Sequence, residues 1–343
     1  MHLLKTKTFL VLLILVVQSA NAQLVKELFN KLHKDKDSTY ISVFNESIIT
    51  KVSLNTQSNL LSIVNNQEIT YRLSTNNIYR LNFSVDYDFL GISFGFAPSF
   101  IPENNDDDKR GSSSFRDINF RFLFKRWIQT LQYKKESGFY AENTKDLMAD
   151  WNQNTDPYIT FPDLQTTLWE GTTSYLFNEN FSLKNSVNNH EWQRKSAGSF
   201  IPTLRYNYSS IDSNFEVFEK HNKTLQFYLT PNYYYTWVIK NNWFVTGALG
   251  GSFGLRFALD SSLEKTDTYI PFLLNGSIQS GYNSNNLTFG VNLFAHSVHH
   301  NYFEQDNIVN DHFYLNFYFG YRFKASKKIE NFFKKIKQKT EIK

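Results

Sequence analysis

The chain has 343 residues, 17% of them aromatic and 20% charged, with 33 Phe, 20 Tyr and no cysteine. The missing cysteines exclude a disulfide scaffold and any thiolate metal centre, and the aromatic content excludes disorder for most of the chain. The formal charge of +4 is unevenly placed: residues 324–343 carry eight lysines and two glutamates, whereas residues 23–323 sum to −4. The basic balance belongs to the tail, so no nucleic-acid groove is indicated.

Lys5 and Lys7 precede an apolar run from Phe9 to Val17, and Ala20-Asn21-Ala22 offers a small-x-small cleavage site before Gln23. This pattern predicts a signal peptide over residues 1–22 and export of the remainder; an uncleaved anchor is the alternative. No later stretch reaches the roughly twenty apolar residues of a spanning helix. Residues 23–39 read as a short N-terminal periplasmic segment.

From there the chain alternates. Tyr40–Phe44 is the first plausible strand, followed by less regular extended stretches at Ile48–Leu54, Leu60–Val64 and Glu68–Leu73. Tyr79, Leu81, Phe83, Val85 and Tyr87 then take every second position, as do Leu90, Ile92, Phe94 and Phe96 after a tight connection. Opposite that second strip stand only Gly91, Ser93, Gly95 and Ala97, which leave room for close approach of other groups. Pro98–Ser114 is a charge-rich loop whose solvated reading outweighs a calcium site, because the acidic spacing lacks the calcium-loop pattern. Ile118–Phe124 and Trp127–Lys134 form a hairpin, and Glu136–Phe161 reads as a long polar excursion. Thr166–Phe177 is a strand, and Asn178–His190 reads as a turn or loop. Phe200–Tyr208 is extended, with a bulge or sheet edge expected at Pro202 because proline lacks a ladder donor. Leu225–Trp237 and Trp243–Phe257 flank a turn near Lys240-Asn241-Asn242. Phe272–Ile278 and Leu287–Ala295 flank Asn283-Ser284-Asn285, and a loop over His296–Asp311 leads to the last strand. There Phe313, Leu315, Phe317, Phe319, Tyr321 and Phe323 alternate with polar or small residues.

About twelve strands result, joined alternately by hairpin turns and longer loops. That pattern predicts an all-β fold, a single antiparallel transmembrane β-barrel in the cell outer membrane. A secreted soluble sandwich of lectin type shares the period of two and the export signal. It accounts less well for strands of some fifteen residues, since soluble strands average about five or six, and for Tyr and Trp clustered near strand ends. After Phe323, Ile329, Phe332, Phe333 and Ile336 share a helical face among lysines. The tail, residues 324–343, is therefore a short basic amphipathic helix, expected as a periplasmic tail, on the inner leaflet surface or under the barrel. The partners expected are outer-membrane lipid and the outer-membrane insertion machinery. No cofactor is indicated.

Charged residues opposite the apolar strips are the first candidates for function. Arg80, Arg121, Lys125, Arg256 and Arg322, with Asp86 and Asp117, would converge on the lumen if the strips face lipid, and Arg205 and Glu170 join them. Confined charges are normally paired, and the lumen of a small barrel can be filled by side chains. A closed or narrow barrel is therefore preferred to a general pore. His296, Ser297, His299 and His300 are a weaker cluster. Three histidines can ligate zinc, and a serine beside a histidine at a barrel rim could hydrolyse lipid, but neither spacing is diagnostic. Lys195–Phe200 lacks the phosphate-loop pattern, and Gly247, Gly250, Gly251 and Gly254 lie within a strand and make no dinucleotide site.

Several stretches resemble a family of Bacteroidetes outer-membrane proteins grouped under domain of unknown function 4421. They are Tyr71-Arg72 with Asn76-Asn77, the strand pair through Tyr87–Phe94, and Phe161-Pro162-Asp163-Leu164. Phe181-Ser182, Gln193 and Lys195-Ser196-Ala197-Gly198-Ser199-Phe200 complete the set. The resemblance spans about Ser38 to Phe323 and implies an outer-membrane barrel; it brings no catalytic residue.

Overall fold

The computed structural model describes residues 37–44, 46–59, 61–64, 69–214, 221–259, 268–269, 272–299 and 312–340. The signal peptide expected over residues 1–22 lies outside them, as does nearly all of the segment 23–39. In chain order the strands are β1 (Ile41–Val43), β2 (Ser47–Asn59), β3 (Leu61–Val64), β4 (Thr70–Thr75), β5 (Tyr79–Tyr87) and β6 (Leu90–Phe96). They continue with β7 (Ser114–Leu123), β8 (Trp127–Ala141), β9 (Thr160–Tyr175), β10 (Glu191–Gln193), β11 (Ala197–Asp212) and β12 (His221–Ile239). The last are β13 (Trp243–Ala258), β14 (Thr268–Tyr269), β15 (Phe272–Asn283), β16 (Leu287–His299) and β17 (His312–Lys324). Among the described residues the α-helical segments are α1 (Asp107–Arg110), α2 (Thr144–Leu147), α3 (Leu183–Val187) and α4 (Lys327–Thr340).

Twelve of these strands close on themselves. The antiparallel ladder runs β8-β7-β6-β5-β2-β17-β16-β15-β13-β12-β11-β9 and returns to β8, so no barrel edge is left unpaired. The period of two sorts every wall strand. On β17, Phe317 and Phe319 are 55% and 56% exposed, while Asn316, Tyr318 and Arg322 are buried. Large apolar groups thus clothe the outside and polar groups fill the inside, the arrangement of a transmembrane barrel. Among the described residues no helix is long and apolar enough to cross a membrane.

The two ends differ. At one, residues 88–89, 124–126, 240–242 and 284–286 make hairpin turns, and Lys240 and Asn241 both have positive φ. Trp127–Tyr175, Tyr235–Trp237 and Trp243–Tyr282–Phe289 contacts girdle the wall near this end. The other end carries the long connections. There β3 and β4 extend the sheet from β8 above the wall, and Leu73, Phe139, Ala141, Phe161 and Leu164 form a small buried core beneath them.

Four details depart from the sequence reading. β1 is not a wall strand: it pairs with β10 in a separate two-stranded sheet. No bulge occurs at Pro202, which faces Pro231 in an unbroken ladder, so two residues without donors oppose each other. The register shift falls instead between Ser137 and Phe139. There Gly138 at φ +73° faces the Phe161–Leu164 stretch, and a Cβ on it would sit 2.1 Å from the Ser112 carbonyl oxygen. The excursion expected over Glu136–Phe161 is shorter, because β8 runs to Ala141 and β9 begins at Thr160.

Candidate functional site

Residues 176–196 connect β9 to β11 at the short-turn end, where every other described link spans two or three residues. This segment folds into the lumen as a plug. Ser182 caps α3 by accepting the Asn185 backbone N–H at 3.0 Å, and its hydroxyl donates to Glu191 at 2.5 Å. Gln193 is the hub: its side chain accepts the Ser182 N–H at 2.7 Å and donates to the carbonyls of Asn180 and Lys195 at 2.7 and 2.8 Å. Asn185, Asn188, Asn189, His190, Glu191 and Gln193 are all at most 1% exposed. Phe181 and Leu183 anchor the base of the plug against Leu123, Ile128, Leu176 and Ile201.

The wall grips this plug with charged donors. Arg322 of β17 donates from Nε and Nη2 to the Asn189 carbonyl, from Nη1 to the Ser284 carbonyl at 2.5 Å and from Nη2 to Asn283 Oδ1 at 2.6 Å. Its guanidinium lies 4.2 Å from the Phe44 ring centroid. Lys51 reaches the Val187 carbonyl and Asn189 Oδ1 at 3.4 and 3.3 Å, and Lys184 of the plug donates to the Leu123 carbonyl at 3.0 Å. Arg126 pairs with Glu179 at the entrance to the segment. His190 places Nε2 3.2 Å from the Ser47 carbonyl oxygen. Burial pushes its imidazole down to about 4, with nearby Lys184 acting in the same direction; a buried ring prefers the neutral form. Together these contacts touch β2, β7 and β17 and the turn after β15.

The candidate charges divide into pairs. Arg80 meets Glu136 at 2.7 Å with both side chains nearly inaccessible, and Lys134 lies 3.5 Å from the same carboxylate. Asp117 accepts from Gln132 at 2.9 Å. Arg121 and Asp86 form a two-pronged bridge at 3.1 Å, and Asp86 also accepts the Asn188 amide of the plug at 3.3 Å. That bridge spans β6, and the empty side of Gly91 lets it form: a Cβ there would stand 1.9 Å from Asp86 Oδ1. Arg205 approaches Glu170 at 3.8 Å. Arg256 occupies the inward phase of β13 opposite Gln226 and Tyr269, towards the long loops and away from these pairs. Lys125 departs from expectation: it sits in the turn at 124–126, because β7 stops at Leu123. The weaker cluster splits by phase. His296 stands opposite Asn275 on β15, whereas Ser297 and His299 stand opposite Leu274 and Phe272 on the other phase; His300 lies outside the described residues. Among the described residues no group of three or more His, Asp or Glu is placed to hold a metal ion.

The profile of the family described as Domain of unknown function (DUF4421) matches residues 35–323. The chain belongs to the DUF4421 family. Among curated proteins no sequence matches it. Of solved structures, the β domain of the Bordetella autotransporter BrkA is similar with a TM-score of 0.41 and 8% identity, covering 82% of this chain and 100% of that one. The COG4313 outer membrane channel from Pseudomonas putida F1 has a TM-score of 0.39 and 9% identity over 84% and 100% of the two chains. OmpT of Vibrio cholerae has a TM-score of 0.32 and 7% identity over 84% and 99%. These likenesses are remote, and no property of those proteins is carried over to this DUF4421 chain.

Sequence reasoning placed Arg80, Asp86, Arg121 and Arg322 on the inner phase and missed the plug that two of them hold. Its signals were present. The resembling residues Phe181, Ser182, Gln193 and Lys195–Phe200 all lie in this segment or at its exit. Ser196 Oγ accepts the Val238 N–H at 2.9 Å, and Ser199 Oγ accepts that of Asn178 at 3.0 Å.

Proposed function

We propose that this DUF4421 protein is an outer-membrane barrel held shut by its own plug, a narrow gate through which small solutes pass only when the plug shifts. The predicted export signal and the alternation of short turns with long loops support placing the short-turn end in the periplasm. The observation that carries the reading is the plug itself: six polar residues between Asn185 and Gln193 are buried in the lumen, where Arg322 donates to the Asn189 carbonyl, Asn283 donates to Asn185 Oδ1 and the Glu191 carbonyl, and Asp86 accepts from Asn188. Burying that many polar groups is costly without partners, and the number they find specifies the closed state. β1 adds a handle. It pairs with β10, and Phe44, the residue after it, covers the Arg322 guanidinium, so displacing the chain at 41–44 would loosen the latch from the periplasmic side.

Planar-bilayer conductance of the refolded chain tests this, after heat-modifiable gel mobility has shown that it folded. The intact chain is expected to be silent, and a chain with residues 179–194 replaced by a Gly/Ser linker is expected to give discrete channels. Steady channels from the intact chain would overturn the closed state. Silence from both folded barrels would remove the gate and leave a structural or surface-binding role.

A further inference from the structure

Outside the lumen, α4 carries a second inference, independent of whether the barrel conducts. Its path is set by contacts on successive strand ends. The Ala325 N–H donates to the Glu46 carbonyl, Ile329 and Phe333 pack with Ile48 and Tyr87, Phe333 reaches Tyr87 and Phe89 at 4.8 and 5.4 Å, and Lys337 meets Asp88 at 2.5 Å. These partners lie on β2, β5 and the β5–β6 turn, in order around the rim. Lys327 to Lys337 rises about 15 Å as a helix. Crossing three strand spacings of about 4.8 Å, tilted by about 40°, takes roughly the same length. The helix axis therefore follows the circumference of the barrel and lies in the membrane plane.

Its radial position is equally defined. Ile48 and Tyr87 share the outward phase with Val52, Phe83 and Val85, which are 44–46% exposed. α4 thus rests against the outer wall below the apolar band, and the arrangement under the lumen is excluded. The face turned from the barrel is divided. Phe332, 60% exposed and 5.7 Å from Phe333, continues the apolar arc of Ile329, Phe333 and Ile336. Lys327, Lys328, Lys334 and Lys335 are exposed around the remainder.

We propose that α4 binds the headgroups of anionic phospholipids, with the four lysines on the phosphates and Phe332 among the upper acyl carbons. Two observations select lipid over a protein partner: the helix is continuous with the lipid-facing wall, and its exposed charge is almost wholly positive, the complement of an acidic leaflet. An amphipathic helix with a basic polar face takes this position by burying its apolar arc while its charges meet the headgroups. Each lysine near such a surface strengthens binding by roughly five-fold, so four of them make the effect dependent on lipid charge and on salt.

The absence of cysteine allows one label at a chosen site. Phe332→Cys carrying a polarity-sensitive thiol dye is refolded into vesicles of phosphatidylcholine alone or mixed with phosphatidylglycerol, and quenching by neutral acrylamide is measured. The anionic lipid is expected to lower quenching at least five-fold. About 0.5 M salt should reverse this, as should the quadruple variant Lys327→Glu, Lys328→Glu, Lys334→Glu, Lys335→Glu. Heat-modifiable mobility confirms folding of each variant. Equal quenching in both lipids, from a folded barrel, overturns the proposal, as does protection that persists in the quadruple variant. Conductance is read separately, so the lipid contact and the closed lumen fail or stand independently.

Discussion

Arg322→Met is the sharpest test of the latch. Methionine keeps much of the arginine volume and removes all its donors. The carbonyls of Asn189 and Ser284 and the Asn283 side-chain oxygen then lose a charged partner in a site where Arg322 itself is 1% exposed. Hydrogen bonds to charged groups contribute about 1.5–3 kcal/mol each. Of the three acceptors only the Asn189 carbonyl belongs to the plug, so the loss of that contact is what bears on the closed state. Taking about 2 kcal/mol for that contact, with 1.4 kcal/mol per factor of ten, the displaced-plug population rises roughly thirty-fold. The wall ladder does not depend on this side chain, so the barrel should still fold and remain heat-modifiable. Single-channel recording in planar bilayers should then show openings in Arg322→Met that the unaltered chain lacks. Arg322→Lys should fall between, because an ammonium keeps the charge but not the planar fork that reaches three acceptors. A folded Arg322→Met barrel as silent as the parent would refute the latch.

Two further outcomes follow from the same geometry. Gly91→Ala places a methyl 1.9 Å from Asp86 Oδ1 and 3.0 Å from Arg121 Nε, so the bridge must open. A loss of about 3–5 kcal/mol is expected, read as a lower urea midpoint in vesicles, whereas Gly276→Ala, whose nearest neighbour would be Leu249 Cδ2 at 3.5 Å, should change little. Equal midpoints for the two variants would sink the role given to Gly91. His190 has its pKa pushed down to about 4 by burial. The unfolded ring, near 6.5, therefore takes a proton first as pH falls. The stability it contributes is present above about pH 6.5 and lost on descending to about 4. That window corresponds to about 3 kcal/mol, so the parent should lose that much more than His190→Gln between the two pH values, and parallel pH profiles would contradict it.

The wall was legible because a membrane barrel imposes its contrast on every strand. Phe313 to Phe323 and Trp243 to Phe257 show the period of two without interruption, and in the structure those phases separate outside from inside. The glycines opposite Leu90–Phe96 were readable as room for neighbours, and the Arg121–Asp86 bridge occupies that room. Pro202 misled because a missing donor was assumed to need an irregularity. Facing Pro231, it lies in a register that runs unbroken through both prolines. Lys125 misled for a smaller reason: phase continues on paper past Leu123, whereas the hairpin turn ends it.

The plug was hidden by the same physics that made the wall plain. A segment buried in a soluble core must be apolar, so burial writes itself into composition. A segment buried in a polar lumen is under no such demand. Asn185, Ser186, Asn188, Asn189 and His190 meet amides, carbonyls and guanidinium groups as they would meet water, and their sequence looks like that of a solvated loop. Only Phe181, Leu183, Val187 and Trp192 interrupt it, at spacings too irregular for a helix or a strand. What does distinguish the stretch is its place. The other described links at that end span two or three residues, and residues 176–196 span twenty-one. In a barrel with short turns on one side, a long link on that side has two destinations, beyond the wall or the lumen. Arg322, a charge on the inward phase with no carboxylate beside it in register, was the sign that the lumen had to supply its acceptors from elsewhere.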